Sequence, residues 1–393
     1  MRKLNRVGLC VAVALAISMP PIHAETPVKI GVILPLSGNG AFLGQGQQRT
    51  LKVLQDMTNK EGGIQGRPLE FEFKDDQTSP QITVQSLNAL KAENVSAILG
   101  STIAAMCNAQ APLIKQGPFT YCLSPGIKPS AGSFMFSANP SSTDLLEAAI
   151  TYLRERGLTK LGLISSTDAT GQDFQKGIAE VLAMPENRGI VIQENLRFNP
   201  DDISVSAQIT RIKAEHPQAV IAWTSGSQIA TIFRNMVQAD VQVPVLTTSS
   251  NQSFDQMAQY ASFLPKDLYI TTSLYAPHDG VIKYDPETEA AQQQFYAAMK
   301  QAGLRVDLVT ANAWDPAMLV IGALKKIGPN ATAEQLKTYL ANLDHYAGVD
   351  GVYDFKATPQ RGLTVRNVSI TRWVPGTREF RVVSKPGGKP ISE

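Results

Sequence analysis

Six short stretches share one composition: small hydroxyl, amide and glycine residues placed where an apolar run ends. They are residues 37–40 (Ser-Gly-Asn-Gly), 101–105 (Ser-Thr-Ile-Ala-Ala), 124–126 (Ser-Pro-Gly), 168–171 (Asp-Ala-Thr-Gly), 223–226 (Trp-Thr-Ser-Gly) and 249–251 (Ser-Ser-Asn). Residues of these types do noncovalent chemistry. Free N–H groups at helix starts draw anions such as a carboxylate. Hydroxyls add directed hydrogen bonds, and Phe42, Trp223 and Tyr275 can wall an organic body. For any single loop, turn and cap duty accounts for the same residues. Six such loops converging from two lobes favour binding.

Catalytic side chains lack the spacing that turnover needs. Of four histidines, His23 falls in the leader, and His216, His278 and His345 are scattered without metal-like spacing. The sequence has no G-x-S-x-G elbow, no H-E-x-x-H and no C-x-x-C. Asp75 and Asp76 are adjacent in a strand pattern, so they point to opposite faces and read as turn caps. Asp201 and Asp202 read as a helix start signal. Gly38, Gly40 and Gly44 give G-x-G-x-x-x-G, one residue longer than the dinucleotide spacing, with no acidic residue at the distance a ribose needs. No catalytic residue, no metal and no cofactor is expected.

The elements that must hold these loops are alternating strands and helices. Val28, Ile30, Val32, Ile33 and Leu34 suit a parallel strand buried on both faces, and Pro35 ends it. A helix is expected over 45–59, then a strand over 69–74, a helix over 82–91, a strand over 95–99, a helix over 104–115 and a strand over 119–123. The pattern restarts near residue 143: helix 143–156, strand 160–165, helix 172–182, strand 190–196, helix 205–215, strand 219–223, helix 229–239 and strands 243–247 and 268–274. Helices over 286–302, 312–327 and 332–342 follow. Residues 348–355 and 363–373 look like hairpin strands, with a last strand at 380–383. This is an α/β chain of two lobes with parallel sheets wound by helices. The late elements complete the two lobes rather than build a third. Lobe 1 is assigned 25–142 and 275–350, and lobe 2 is assigned 143–274 and 351–393, with crossings near Ser142, Tyr275 and Gly351.

Charge and targeting narrow the partners. Arg2, Lys3 and Arg6 precede an apolar stretch over 7–19 and the small-residue exit Ile22-His23-Ala24, so residues 1–24 read as a signal peptide cleaved to leave Glu25 first. Without those three cations the chain holds 33 basic and 34 acidic residues, a balance that argues against nucleic acid or an acidic membrane surface. No other segment has ~18 uninterrupted apolar residues, so no span is expected. Export leaves two cysteines, Cys107 and Cys122. In an oxidising compartment they form the candidate disulfide; two buried thiols are the alternative, and geometry decides.

The start IGVILPLSGNGAFLGQG, the turn Gly62-Gly63-Ile64-x-Gly66 with the strand and Asp75-Asp76 after it, and the two interleaved lobes resemble the periplasmic solute-binding proteins of branched-chain amino-acid ABC importers. The resemblance covers nearly the whole mature chain. It implies the type I periplasmic binding fold, two Rossmann-like lobes joined by three crossovers and closing on a ligand like a hinge, and a carrier rather than an enzyme. The family's amino-acid site is matched only in part. Ala104 and Ala105 stand where a Ser or Thr pair is usual, leaving backbone N–H groups and Thr102. Ser124, Pro125 and Gly126 match, but Ile127 and Lys128 depart. Thr170 replaces an aromatic before Gly171. Only Ser249, Ser250 and Asn251 stand where an acidic residue often holds the ammonium.

Unless Asp168 serves, no carboxylate is placed to pair an α-amine, and an unpaired buried ammonium is costly. The stretches 122–127, 168–173 and 223–226 are also similar to a subgroup that carries aromatic acids. The expected ligand is therefore a small carboxylate with an apolar, aromatic body, with a branched-chain or other amino acid as the alternative. The implied contacts are Phe42, Thr102, Ala104, Ala105, Ser124, Pro125, Gly126, Asp168, Thr170, Trp223, Thr224, Ser225, Asn251 and Tyr275. The implied partner is an ABC permease in the inner membrane, the chain acting as a periplasmic monomer. A sensor module for a membrane receptor and an exported enzyme are the rivals from other classes.

Overall fold

The computed structural model describes residues 26–277, 280 and 282–391. The expected leader and His278 lie outside them. The first sheet holds β1 (Val28–Leu34), β2 (Leu69–Asp75), β3 (Ala97–Leu99), β4 (Phe119–Cys122) and β5 (Met135–Ser137) in the order β2-β1-β3-β4-β5. All of its pairs are parallel. Parallel strands need cover on both faces, and Ile30, Val32, Ile33 and Leu34 of β1 are fully buried as that demands.

The second sheet holds β6 (Lys160–Ser166), β7 (Val191–Phe198), β8 (Ala219–Trp223), β9 (Val245–Thr247) and β10 (Leu268–Ser273), all parallel. Two strands from the far end of the chain, β13 (Val368–Val374) and β14 (Glu379–Val382), add to it antiparallel. Its order is β14-β13-β10-β9-β8-β6-β7. In both sheets the winding reverses beside the first strand, between β1 and β3 and between β6 and β8. Crevices outside the strand ends form at such reversals, and ligands of open α/β sheets bind there.

The first core joins residues far apart in sequence. Ile30, Leu99, Tyr121 and Phe136 share it with Phe295, Trp314, Leu336, Tyr353, Phe355 and Leu363. The helices Pro286–Gln301, Trp314–Ile327 and Ala333–Ala341 therefore cover the first sheet. The second lobe's cores lie on either side of its own sheet.

Three expectations change. The third crossing falls after Leu363 rather than at Gly351, because Tyr353 and Phe355 stack in the first core with ring centroids 5.7 Å apart. The expected hairpin of 348–355 with 363–373 is instead two separate pairings. β11 (Tyr346–Gly348) pairs with β12 (Gly351–Tyr353), and β13 pairs with β10 and β14. Asp202 does not open a helix: its carboxylate accepts from the Asn199 amide at 2.8 Å, and the next helix, Ser206–Ala214, begins past Val205.

Asp75 and Asp76 do cap turns, and across long range. Asp75 accepts from the Leu36 and Ser37 amides at 2.9 and 3.1 Å. Asp76, fully buried, accepts from the Thr78 amide at 2.8 Å and from the Ser101 hydroxyl. Burial raises the Asp76 carboxyl above its ordinary range. Together the two side chains tie the loops after β1 and β3 to the end of β2. No helix among the described residues is long and apolar enough to cross a membrane.

Candidate ligand-binding cleft

The loops at the strand ends of the two sheets face each other across one narrow cleft. From the first lobe it is lined by Leu43, Thr102, Leu123, Ser124, Pro125, Gly126 and Asn139, with Leu308 and Asn312 from the later helices. Ser142 sits beside this wall, its amide donating to the Pro125 carbonyl at 3.3 Å, and Thr170, Trp223, Ser225, Thr248, Ser249 and Ser250 form the opposite wall. Of the implied contacts, Thr102, Ser124, Pro125, Gly126, Thr170, Trp223 and Ser225 are thus brought together. Five of the six loops supply lining residues. The sixth, at 37–40, abuts the second lobe instead, its Asn39 carbonyl lying 3.2 Å from the point where a Cβ on Gly226 would stand.

The other implied contacts are placed differently. Phe42 packs partly buried against the first core. Ala104 is buried with Cys107 in the core beneath the loop, and Ala105 beside it is half-buried. Asp168 is committed to its own helix: its Oδ1 accepts from the Gly171 amide at 3.1 Å and from the Ser166 hydroxyl at 2.6 Å. Thr224 and Asn251 are fully buried behind the wall, where Asn251 Nδ2 donates to the Thr224 carbonyl at 3.0 Å and to the Thr247 hydroxyl at 2.8 Å. Tyr275 is drawn away by its hydroxyl, which bonds Gln252 Oε1. It lines a separate cavity of about 960 Å³ with Tyr152, Arg156 and Phe380.

Cys107 and Cys122 are joined by a disulfide with their Cα atoms 6.0 Å apart. The bond links the helix after Thr102 to the strand before Ser124. At the 124–126 loop few main-chain amides are free. The Gly126 amide donates to Ser124 Oγ at 3.2 Å, and Pro125 has no N–H. Trp223 gives a flat wall and stacks on Phe174 with centroids 5.5 Å apart.

Sequence reasoning missed the group beneath the first-lobe wall. Arg361, only 7% exposed, donates to the carbonyl oxygens of Asn139 at 2.8 Å and Ile127 at 2.6 Å. Longer bonds reach Ala138 and Pro125, both at 3.4 Å. Burial pulls its pKa down to about 10, so it stays a cation at neutral pH. Among the described residues it has no carboxylate partner within ion-pair distance. The lining itself carries no Asp, Glu, Lys, Arg or His. Asn139 and Asn312 were also missed. They lie at a turn after a three-residue strand and ahead of a helix some 170 residues later, and nothing local marks them.

The walls meet closely. The space left between them is about 20 Å³, room for a single water. Outside it, Lys128 pairs with Glu180 at 3.1 Å and Arg49 with Asp255 at 3.7 Å, each across the two lobes.

This arrangement, two wound sheets with strand ends facing over a cleft, matches a family model described as periplasmic binding protein over residues 27–378. The chain belongs to the periplasmic binding protein family. That family is one of solute carriers, not enzymes. This binding protein is 26% identical over 160 residues to Leu/Ile/Val-binding protein homolog 7 of Brucella melitensis, a match covering 40% of the chain and 39% of the relative. It is 20% identical to Leu/Ile/Val-binding protein BraC3 of Rhizobium johnstonii over 365 residues, 91% of the chain and 94% of the relative. Among solved structures, an extracellular ligand-binding receptor from Rhodopseudomonas palustris HaA2 superimposes with a TM-score of 0.77 at 19% identity, covering 91% of this chain and all of that one. The fold is that of these proteins.

Proposed function

We propose that this binding protein captures a small carboxylate with an apolar, aromatic body in the periplasm, as a monomer, and delivers it unaltered to an ABC permease. One observation carries the reading: a buried cation, Arg361, with no carboxylate within ion-pair distance among the described residues and only the more distant Asp144 and Asp173 acting on it, lies beneath the Ser124 to Gly126 wall of a cleft whose lining side chains are all uncharged. In a water-poor site such a charge favours a ligand anion. Hydroxyls of Ser124, Thr170 and Ser225 orient the headgroup, while the Thr102 hydroxyl, which donates to Gln47 Oε1, stiffens the wall beside it. Trp223 faces the body, and Thr224 and Asn251 support the second-lobe wall.

Capture works by hinge motion in this reading. An organic acid does not fit in about 20 Å³, so the lobes separate to admit it and close over it. The pairs of Lys128 with Glu180 and Arg49 with Asp255 are exposed and weak, as a reversible latch must be. The three crossings supply the hinge.

A branched-chain amino acid is the second reading, favoured by the names of the relatives. It needs an anion for the ammonium. The nearest candidate is Asp173, whose Oδ2 lies 3.6 Å from where a Cβ on Gly126 would stand.

A thermal-shift screen followed by calorimetry tests the choice, because a ligand that binds only the native form raises the melting point. Benzoate and 3-phenylpropanoate are expected to stabilise the protein and leucine and isoleucine to leave it unchanged. Stabilisation by leucine alone would transfer the assignment to the second reading.

A further inference from the structure

Asn139 stands in the left-handed region at φ +62°, a conformation asparagine tolerates better than most residues, and it is 2% exposed. Its Nδ2 donates to Asn312 Oδ1, and Asn312 Nδ2 donates to the Leu123 carbonyl oxygen at 2.9 Å. A main-chain carbonyl only accepts. The direction of the whole relay is therefore set from Leu123: Asn312 turns its amino group to that carbonyl and its oxygen to Asn139, which must answer with its own amino group. What remains is Asn139 Oδ1, a buried acceptor with no partner, on a residue that lines the cleft. The backbone of Asn139 is held as well, since its carbonyl accepts from Arg361 at 2.8 Å. The acceptor is thus fixed in place rather than free to swing towards another donor.

We infer that the ligand carries, besides its carboxylate, a neutral hydroxyl or N–H donor that meets Asn139 Oδ1. This rests on the carboxylate reading above. The donor is neutral because none of the cleft-lining residues is a carboxylate that could pair an ammonium at Asn139, Asp173 lying at Gly126 outside that lining. Asn139 then acts as a specificity residue. A ligand lacking the donor leaves the oxygen buried and unsatisfied, and sites built for a hydrogen bond reject such analogues strongly.

The test is calorimetric titration of the mature chain with matched pairs. These are benzoate against 3- and 4-hydroxybenzoate, and 3-phenylpropanoate against its 3- and 4-hydroxyphenyl forms, with leucine and tyrosine alongside. In at least one pair the hydroxylated acid should bind about tenfold tighter or better. Asn139→Gly accepts the backbone angle and removes the acceptor, so it should bring that ratio to within about twofold. Asn139→Asp keeps an acceptor but sets a charged oxygen against Asn312 Oδ1 in place of the amino group, so it should lower the unliganded melting point and weaken every acid. Unliganded thermal unfolding of both variants checks their folding. The inference is overturned if both members of every pair bind alike, if the preference survives Asn139→Gly, or if leucine outcompetes the acids. If no acid binds at all, the carboxylate reading falls and this inference falls with it.

Discussion

The guanidinium of Arg361 and the carbonyl oxygen of Ile127 meet at 2.6 Å, across 234 residues of chain. One side chain from the end of the first lobe thereby holds the loop that follows β4. Arg361→Gln removes most of these charge-assisted bonds and leaves buried carbonyls unsatisfied. A loss of about 3 kcal/mol in urea unfolding is expected, with carboxylate affinity falling by about tenfold or more. Arg361→Lys keeps the charge but not the planar fork, so it should fall between. Unchanged affinity in Arg361→Gln would remove the electrostatic basis for an anionic ligand.

The disulfide between Cys107 and Cys122 closes a loop with a separation of 15 residues. On the chain-entropy model such a link contributes about 3 kcal/mol. The double variant Cys107→Ala, Cys122→Ala should lose that much in urea and bind ligand more weakly, since the link joins two lining loops. Both cysteines are fully buried, so a reductant should act on the native protein far more slowly than on the unfolded one. Thiol labelling after timed reduction reads this directly.

Asp307 gives a pH signature. Burial pushes its carboxyl up to about 6 from an ordinary 3.8, although it accepts from the Phe254 amide at 3.0 Å. A carboxyl whose folded pKa is raised stabilises the fold below its unfolded value, and this contribution is lost as pH rises through the folded one. The window is therefore about pH 4 to 6 and the loss about 3 kcal/mol. Asp307→Asn should lessen the slope in denaturation series run across the window, leaving the share from Asp315, which burial also raises to about 6. An equal slope in wild type and variant would assign the effect elsewhere.

The ion pair of Lys128 with Glu180 bridges the lobes at 3.1 Å with both side chains half exposed. Its worth is about 0.5 kcal/mol, or roughly twofold in the closed population. Lys128→Glu should weaken ligand binding about threefold at low salt. Adding Glu180→Lys should restore it, and the difference should fade at high ionic strength. Small-angle scattering should show the single variant more open.

Much of the fold was legible because strand and helix signals recur in strict alternation. β1, with Val28 to Leu34, reads at once, and so does the cleft at the strand ends. What escaped notice depends on distance. β5 has three residues, too few for a period. Arg361 looks like any loop cation until its partners at Ala138 and Asn139 are known. Asn139 and Asn312 have no shared local pattern, because their bond spans 173 residues. Tyr275 was misplaced for the opposite reason: an aromatic at a crossing invites a wall role, but its hydroxyl finds Gln252 instead.

The interleaving of the first core has a consequence for assembly. One face of the opening sheet waits for helices encoded after the five parallel strands of the second sheet, and its final aromatic neighbours, Tyr353 and Phe355, arrive only near the finish. A growing chain therefore cannot complete its first half early. Both halves mature almost together, and a fragment stopped before residue 286 would expose greasy surface with nothing left to shield it.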